Sequence, residues 1–432
     1  MLALVLTLVP VLMYNAKYPT ISPIDEFHHI DYAERLSDGD LIGLGDRFGL
    51  EMMREFSCRR LDASEIAFEV PACDAPDSAL TPDRYPENGY NVAYIHPPTY
   101  YANAAVGGSI AELFGKSFVA GARLANVAWL GAFIVAIFVA ARWLGCKPIV
   151  ALMASVPCVV NPVSLHALAT VNPDAAGLAC GAAALVGYLG WRRGGSLWWL
   201  ALVVAPIAVK STHGLVSGAI VCLIAAEAWL DRPKPFAPRA AATTFRPVFA
   251  AGFGLVGVAA AVLLLQKSLA SAPATVIDQL SRFHAERFPI DQMLANVIVV
   301  PPFYGYLPRH VNERSVLIVI TLMTLMVMLG MVLGLANRRD PADQVLRNVG
   351  VAALGMSVLA GPALIVLNYS INEIFVAIPS RYLISLVPML VLVGAAAFAR
   401  HLLTRWGWIA LTALVWTVMV LEMAQESTLG VT

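Results

Sequence analysis

The chain has 432 residues, of which 59% are hydrophobic and 13% charged, and its mean hydropathy is +0.71. A soluble globular protein of this length does not tolerate so apolar a composition. The 29 basic and 29 acidic residues cancel, and no soluble segment carries the basic stripe with interleaved aromatic residues that favours nucleic-acid binding. The composition therefore predicts an all-α, polytopic membrane protein.

Eleven apolar stretches approach the length of about 20 residues that a helix needs to cross a bilayer. They lie at about 2–14, 120–142, 148–168, 174–191, 196–212, 214–230, 247–266, 315–336, 348–367, 381–399 and 406–423. The first is short, and a removed signal peptide is the alternative to a retained span. The interval 196–230 has Lys210 and His213 in its middle, so one tilted, broken span is the alternative to two.

Basic residues predict how these spans are oriented. They concentrate in every second polar connector, and the positive-inside rule assigns those connectors to the cytoplasm. We therefore expect the N-terminus inside and two long segments, 15–117 and 267–314, on the outer face. The Pro-rich, basic connector 231–246 is expected to separate an N-terminal bundle (1–230) from a C-terminal bundle (247–432).

Two of the six cysteines, Cys58 and Cys73, lie in the first outer segment. Because that face is oxidising, we expect them to form a disulfide. The other four lie in or beside apolar stretches, where cysteine usually serves as a small packing residue. The sequence contains neither a CxxC nor an HExxH motif, the spacings that would indicate a zinc site.

The acidic, histidine-containing stretch 22–40 is the first candidate for chemistry, because titratable side chains at the mouth of a membrane bundle are costly and usually functional. Ser22 at the N-cap, Pro23 at the first helical position and Gly39 after the end predict a helix.

The apolar positions of this helix form one stripe, which predicts that it lies along the membrane surface. Asp25, His28, His29 and Tyr32 share the opposite face. The alternative is structural: Asp25 would be a capping-box carboxylate and the histidines would be solvated.

Five short motifs follow one another over most of the chain, all on the predicted outer face. They are Pro23-Ile24-Asp25-Glu26-Phe27-His28-His29, His96-Pro97-Pro98-Thr99-Tyr100-Tyr101, Asn172-Pro173-Asp174, Lys210 in VKSTHG, and Ser380-Arg381-Tyr382-Leu383 with Pro388 behind it. In this order they resemble motifs of the GT-C superfamily, integral-membrane glycosyltransferases that use polyprenyl-phosphate sugars as donors. The first motif differs by an inserted Ile and the third by an interposed Pro.

The resemblance implies roles for individual residues. Asp25 is expected to be the general base of an inverting sugar transfer, and Glu26 to position the acceptor or to be the alternate base. The expected substrate-binding residues are His28, His29, His96, Tyr100, Asp174, Lys210, His213, Arg381 and Tyr382, with Arg309 and His310 as further candidates for the donor phosphate.

Each role has a structural alternative. Lys210 and Arg381 would simply snorkel to the headgroups. Tyr100 and Tyr101 would belong to an interfacial aromatic belt. Asp174 would be a helix N-cap after Pro173. The charges of the stretch Ser281 to Phe288 are expected to be solvated on a second amphipathic outer segment that covers the site.

A divalent metal, Mg or Mn, is an open alternative, because some members of the superfamily bind one and others do not. Its expected ligands are Asp25, Glu26, His28, His29 and Asp174. The expected partners are a polyprenyl-phosphate sugar, a glycan, lipid or protein acceptor, and membrane lipids. The expected location is the bacterial plasma membrane, with the site on the outer, periplasmic face.

Three other functions compete with this prediction. A transporter or flippase of lipid-linked saccharides also needs many spans, but it usually has related halves and charges near mid-membrane. A polysaccharide polymerase or ligase usually centres on outer-loop arginines. A non-catalytic glycolipid-binding protein is the third.

Overall fold

The computed structural model describes residues 2–61, 70–231, 238–270, 285–298, 303, 313–336, 341–373, 375, 378–400 and 402–424. Within these residues the chain is helical and has no β-strand, as its composition predicts. Eight helices in this part of the chain are long and apolar enough to cross a membrane. The protein is therefore a polytopic helical membrane protein.

The described helices, in chain order, are α1 (Leu2–Lys17), α2 (Glu26–Ser37), α3 (Leu50–Arg59), α4 (Thr99–Leu113), α5 (Phe118–Leu124), α6 (Asn126–Trp143), α7 (Pro148–Met153), α8 (Ser155–Val159), α9 (Pro162–Ala169), α10 (Gly177–Gly194), α11 (Ala201–Val204), α12 (Gly214–Leu230), α13 (Pro238–Leu269), α14 (Ile290–Ala295), α15 (Glu313–Ala336), α16 (Pro341–Asn372), α17 (Val387–Phe398) and α18 (Leu402–Ala424). Short 3-10 turns extend several of them, including Pro173–Ala176 before α10, Ser211–His213 before α12 and Ser380–Leu386 before α17.

The eight spans correspond to eight of the eleven predicted stretches: Phe118–Trp143, Pro173–Gly194, Ser211–Leu230, Ala242–Leu269, Arg314–Ala336, Gln344–Ser370, Ser380–Phe398 and Leu403–Ala424. The other three stretches are helical but less regular. Leu2–Lys17 and Leu197–Ala208 are short, and Pro148–Val159 with Pro162–Ala169 forms a pair bent by 79°. A count of eleven crossings stays a prediction.

Two spans form the centre of the molecule. Pro173–Gly194 and Ser380–Phe398 are each 89% buried, whereas Ala242–Leu269 is only 6% buried. The two central spans pack closely enough that a methyl group added at Gly181 of α10 would lie 2.0 Å from the Ser385 carbonyl oxygen. Asp174 and Arg381 lie at the N-terminal ends of these two spans, so central packing brings the two side chains close to each other.

The start of α2 differs from the prediction. The helix begins at Glu26, not at Pro23, and Asp25 precedes it with a left-handed backbone and no side-chain capping bond. Ser22 is not the N-cap; its hydroxyl accepts a hydrogen bond from the Ile24 amide at 3.1 Å within the preceding turn. The end is as predicted, since Gly39 follows Ser37 with φ of 84°.

The covering of α2 differs from the prediction, whereas its placement along the membrane surface stays a prediction. Every residue from Glu26 to Ala33 is buried, on both faces of the helix. The first outer segment folds back over α2, so that Phe27 packs edge to face against Phe48 and Phe56. An apolar stripe predicts one covered face, but α4 covers the polar face as well, since its Tyr101 ring stacks on Tyr32 and its hydroxyl lies 2.8 Å from His29 Nδ1.

A second outer segment packs on the end of α16. The Ala285 amide donates a hydrogen bond to the Glu373 carbonyl at 2.9 Å. Asn296 contacts α16 so closely that a methyl group at Gly361 would lie 2.4 Å from its carbonyl oxygen. Arg282, His284, Arg309 and His310 lie outside the described residues, so the roles predicted for them stay predictions.

Candidate functional site

Asp25 and Arg381 form an ion pair that joins the first outer segment to the last central span. Asp25 Oδ2 lies 2.5 Å from Arg381 Nη2, and the Asp25 side chain is 44% exposed. Burial raises the pKa of the Asp25 carboxyl, but the charge of Arg381, its hydrogen bond and the weaker effects of His28 and Lys210 together lower the pKa below its usual value of 3.8. The carboxylate is therefore ionised at neutral pH and partly accessible.

The backbone of Asp25 is strained. Its φ of 59° is left-handed, a conformation that a residue with a Cβ adopts at a cost of about 1–2 kcal/mol. Its carbonyl oxygen still accepts hydrogen bonds from the amides of His28 and His29, at 3.1 and 3.3 Å. Such strain persists only where the surroundings impose it, and it occurs often at functional sites.

Asp174 and Lys210 form a second ion pair, which is buried. Lys210 Nζ donates to Asp174 Oδ1 at 2.7 Å, and the two side chains are 3% and 1% exposed. His213 Nε2 lies 3.8 Å from the same oxygen. Arg381 Nε lies 4.0 Å from Asp174 Oδ2, so Arg381 stands between the two carboxylates.

The N-cap alternative for Asp174 is wrong. The N-cap is Asn172, whose side-chain oxygen accepts a hydrogen bond from the Asp174 amide at 2.9 Å. Lys210 does not snorkel to the surface either, since it lies in the break between Leu197–Ala208 and Ser211–Leu230 and its charge faces inward. The Asp174 carboxylate is therefore free to face the cationic groups beside it.

Several buried polar atoms around these ion pairs have no hydrogen-bond partner among the described residues. They are Asp174 Oδ2, Arg381 Nη1, both ring nitrogens of His213, and His96 Nδ1. A buried polar atom left unsatisfied costs about 1–3 kcal/mol, so native proteins rarely group several of them without a reason. The group offers a polar ligand hydrogen-bond donors and acceptors, together with one negatively and one positively charged side chain.

Aromatic rings flank the cations. The Tyr382 ring centroid lies 5.2 Å from Lys210 Nζ and 5.7 Å from the Arg381 guanidinium carbon, within cation–π range. This packing limits the rotamers of both cations. Tyr382 thus helps to hold two positive charges near each other, although they repel.

His29 and His96 form an aromatic group beside the ion pairs. Their ring centroids lie 5.6 Å apart, and His29 Nδ1 is 2.8 Å from the Tyr101 hydroxyl. Burial lowers the pKa of both imidazoles well below 6.5, so both are neutral at pH 7. The Thr99 hydroxyl donates to the Ala208 carbonyl at 2.8 Å. This bond connects the motif that begins at His96 to the chain just before Lys210.

Tyr100 and Tyr101 do not belong to an aromatic belt, because both are fully buried. The Tyr100 hydroxyl donates to Asn126 Oδ1 at 3.0 Å and accepts from the Asn172 amide at 2.8 Å. Its hydrogen-bonding capacity is used within the protein. Tyr100 therefore supports the segment that carries Asp174 instead of contacting a ligand directly.

Glu26 is fully buried and saturated with hydrogen bonds. Oε1 accepts from Arg123 Nε and from the Val171 amide, both at 2.8 Å. Oε2 accepts from Arg123 Nη2 at 2.8 Å and from the Ser22 amide at 2.7 Å. No lone pair is left for a substrate proton, so the geometry argues against Glu26 as the alternate base.

His28 lies inside the first outer segment. Its ring packs 4.1 Å from Phe27 and 5.2 Å from Phe48, centroid to centroid, and Nδ1 accepts from the Val92 amide at 3.4 Å. Burial lowers its pKa to about 4. These contacts favour a structural role for His28, and the alternative of a solvated histidine is wrong.

The expected metal ligands do not converge. No group of three or more His, Cys, Asp and Glu side chains in the described part of the chain is placed to hold a metal ion. The Glu26 carboxylate is paired with Arg123, and His28 packs against aromatic rings. Arg381 lies between Asp25 and Asp174. The five residues therefore do not fit a metal site in this arrangement.

Cys58 and Cys73 are joined by a disulfide, and the other four cysteines are free. The bridge ties the end of α3 to the chain that continues toward α4. Arg54 adds to this connection, since its guanidinium donates to the carbonyls of Cys73 and Ala75 at 3.1 and 2.7 Å. Together these bonds stabilise the outer segment that presents Asp25.

Two residues of the site were missed by sequence reasoning, Arg123 and Asn126. Both lie at the predicted outer end of a span. Basic residues otherwise concentrate on the opposite side, so an arginine there was a signal that could have been used. Asn126 had no such signal, because a single Asn in an apolar stretch has no recognisable pattern.

No protein-family model matches the chain, and no curated protein is similar to it.

Proposed function

We propose that the protein is a GT-C-like glycosyltransferase of about eleven spans. It transfers a sugar from a polyprenyl-phosphate donor to a glycan, lipid or protein acceptor on the outer face of the plasma membrane. Asp25 is the general base, and Lys210 and Arg381 bind the donor phosphate.

One observation carries this proposal: side chains from four distant motifs meet at a single point. Asp25 and Arg381 are 356 residues apart in sequence and 2.5 Å apart in space. Asp174 and Lys210 lie on the other side of Arg381. The motifs were chosen for their resemblance to one family, and their convergence supports a common function.

The chemistry needs a base, a phosphate site and a sugar between them. The acceptor oxygen attacks the anomeric carbon, the bond from that carbon to the phosphate oxygen breaks, and polyprenyl phosphate leaves with the electron pair. Asp25 takes the acceptor proton. Lys210 and the unpartnered Arg381 Nη1 stabilise the charge that grows on the leaving phosphate.

Arg381 links donor binding to the strength of the base. While it pairs with Asp25, the carboxylate has a lowered pKa and is a weak base. A donor phosphate competes for the same guanidinium, which draws positive charge away from Asp25 and raises its pKa. The base is therefore strengthened only when a donor is bound.

Asp174 keeps Lys210 in place and charged. An isolated ammonium group is costly to bury, and a paired carboxylate offsets most of that cost. His213 and His96 offer their unpartnered ring nitrogens to hydroxyl groups of the sugar. Glu26 has a supporting role, because its four hydrogen bonds hold the chain on either side of Asp25.

The test is sugar transfer by the purified protein in nanodiscs, with a panel of polyprenyl-phosphate sugars and membrane glycan acceptors, with EDTA and with Mg²⁺ or Mn²⁺. Asp25→Asn should lower kcat by at least about 10³-fold while donor binding persists, since it removes the base. Asp38→Asn is the matched control, because Asp38 is exposed at the end of the same helix.

Two outcomes would contradict the proposal. In the first, Asp25→Asn transfers sugar as fast as Asp38→Asn does. In the second, wild type and Asp25→Asn both move the lipid-linked sugar across the bilayer without transferring it, which is the behaviour of a flippase. A rate that disappears with EDTA and returns with Mg²⁺ would contradict the conclusion that Asp25, Glu26, His28, His29 and Asp174 do not fit a metal site.

A further inference from the structure

Arg123 and Asn126 lie one turn apart at the outer end of the span Phe118–Trp143. Neither belongs to the five motifs, and both are buried. Arg123 donates four hydrogen bonds to the segment that carries Asp25, and Asn126 donates two to the segment that carries Asp174 and contacts it again through Tyr100. They therefore form a shared support, which we call the platform, defined as Arg123 and Asn126.

Arg123 fixes the segment that carries Asp25. Its Nε and Nη2 bind the Glu26 carboxylate, both at 2.8 Å. Nη1 donates to the Tyr18 carbonyl at 2.9 Å, and Nη2 also donates to the Thr20 carbonyl at 2.7 Å. The chain is thus held on both sides of the turn that ends at Asp25, which is how the surroundings impose its left-handed backbone.

Asn126 fixes the segment that carries Asp174. Its amide nitrogen donates to the carbonyls of Leu168 and Thr170, at 3.1 and 2.7 Å. Its oxygen accepts from Tyr100, whose hydroxyl in turn accepts from the Asn172 amide. Asn172 then caps Asp174.

The two segments that the platform supports are also joined directly, because Glu26 accepts a hydrogen bond from the Val171 amide at 2.8 Å. This bond links the Asp25 segment to the Asp174 segment. A shift at either platform residue would therefore change the distance across which Arg381 contacts both carboxylates.

We infer that Arg123 and Asn126 are positioning residues, which set the distance between the Asp25 carboxylate and Arg381 without touching the substrate. The effect on sugar transfer rests on the proposed function, but the effect on the position of Asp25 does not. A misplacement of about 1 Å at a reacting group lowers rates by about 10²-fold. The inference therefore has one readout that depends on activity and one that does not.

The first readout is chemical modification of Asp25 by a carbodiimide with glycinamide, followed by peptide mass spectrometry from a pH well below the usual aspartate pKa of 3.8 up to pH 7. Only the protonated carboxyl reacts, so the pH midpoint reports how closely Arg381 pairs with Asp25. The variants are Arg123→Lys and Asn126→Ala. Arg123→Lys keeps the positive charge but loses the planar guanidinium, which binds both oxygens of the Glu26 carboxylate. Arg381→Gln is the positive control.

Matched controls come from the same region. Arg35→Lys changes a guanidinium that also binds a carboxylate and a backbone carbonyl, those of Asp40 and Arg47, but lies at the other end of α2 and does not contact the segment before Asp25. Asn103→Ala removes an amide that donates to the Ala125 carbonyl at 3.0 Å. To correct for differences in stability, each variant is modified at a temperature the same number of degrees below its own thermal unfolding midpoint.

We expect both platform variants to move the modification midpoint of Asp25 upward, as Arg381→Gln does, and both controls to leave it unchanged. Midpoints of the platform variants that coincide with those of the controls would overturn the inference, whether or not the protein transfers sugar. A shift in Arg123→Lys alone would overturn the part assigned to Asn126.

The second readout is kinetic. Both platform variants should lower kcat by about 10²-fold with less than about a threefold change in donor Kd, because the phosphate site is retained while the base is displaced. Equal losses in kcat and in donor binding would overturn a positioning role in favour of general destabilisation. If the platform variants move the Asp25 midpoint as expected but the wild-type protein transfers no sugar, only the proposed function is contradicted.

Discussion

Lys210 Nζ and Asp174 Oδ1 are 2.7 Å apart at the N-terminal end of the central span Pro173–Gly194, and both side chains are almost completely excluded from solvent. Removing one partner leaves the other charge buried, which typically costs about 3–5 kcal/mol. We therefore expect Lys210→Met to lower the thermal unfolding midpoint in nanodiscs strongly. The double variant Lys210→Met/Asp174→Asn should recover much of that loss, because it leaves no unpaired charge.

The control for this prediction is Asp77→Asn, which breaks a more exposed ion pair with Arg54. Such pairs contribute about 0–1 kcal/mol, so its midpoint should stay close to that of the wild type. A Lys210→Met midpoint equal to that of Asp77→Asn would mean that the buried pair contributes no stability.

The acid limb of the pH profile should report the ion pair of Asp25. Because Arg381 helps to lower the pKa of this carboxyl, the base stays ionised as the pH falls, and the acid limb of kcat/KM should lie below the usual aspartate pKa of 3.8. In Arg381→Gln the lowering charge is gone and the effect of burial remains, so the limb should move to higher pH. Coincident limbs in the two proteins would contradict the pairing of Asp25 with Arg381.

Buried histidines should make the outer segment sensitive to acid. Burial lowers the pKa of His28 from 6.5 to about 4, so the unfolded chain binds the proton more tightly. Stability from this group is fully present above pH 6.5 and is lost as the pH falls toward 4, by up to about 3 kcal/mol.

The measurement is the thermal midpoint at pH 7.5 and at pH 4.5. His28→Asn keeps an acceptor near the Val92 amide but does not titrate in this range, so its midpoint should fall less over this interval. His29 and His96 titrate in the same direction, so a smaller fall is expected in the variant, not none. An identical fall in both proteins would contradict the assignment to His28.

Close packing of the two central spans gives another prediction. A methyl group at Gly181 would lie 2.0 Å from the Ser385 carbonyl oxygen, which is backbone and has no side-chain freedom. Gly181→Ala should therefore push α10 away from the turn that carries Arg381, lowering the thermal midpoint and weakening donor binding. Gly257→Ala is the matched control, since nothing lies within 4 Å of that position, and replacing a helical Gly with Ala should be neutral or stabilising. Equal midpoints in the two variants would contradict this account.

The sequence predicted the class of the protein and the approximate position of its helices, because apolar length and composition alone determine these features. It also identified Asp25, Asp174, Lys210 and Arg381, which the structure brings together. Each is an ionisable residue at the outer end of a predicted span, where charge is costly enough to need an explanation.

What the sequence did not predict depends on contacts between distant segments. The stripe of α2 indicated one buried face, and only the fold of the outer segment shows that both faces are covered. The pairing of Glu26 with Arg123 and the chain from Asn126 through Tyr100 to Asn172 depend on hydrogen-bond directions, which have no periodicity. Burial of Tyr100 likewise follows from tertiary packing, since an aromatic belt has the same composition.

The separation of 356 residues between Asp25 and Arg381 has a consequence for biosynthesis. The ribosome makes Asp25 near the beginning of translation and Arg381 close to the end, so the translocon must insert nearly every span before the two can meet. Until then the Asp25 carboxylate has no guanidinium beside it, and Asp174 is paired with Lys210 alone. An unfinished or truncated product that stops before residue 381 therefore lacks the contact that joins the beginning of the chain to the last central span.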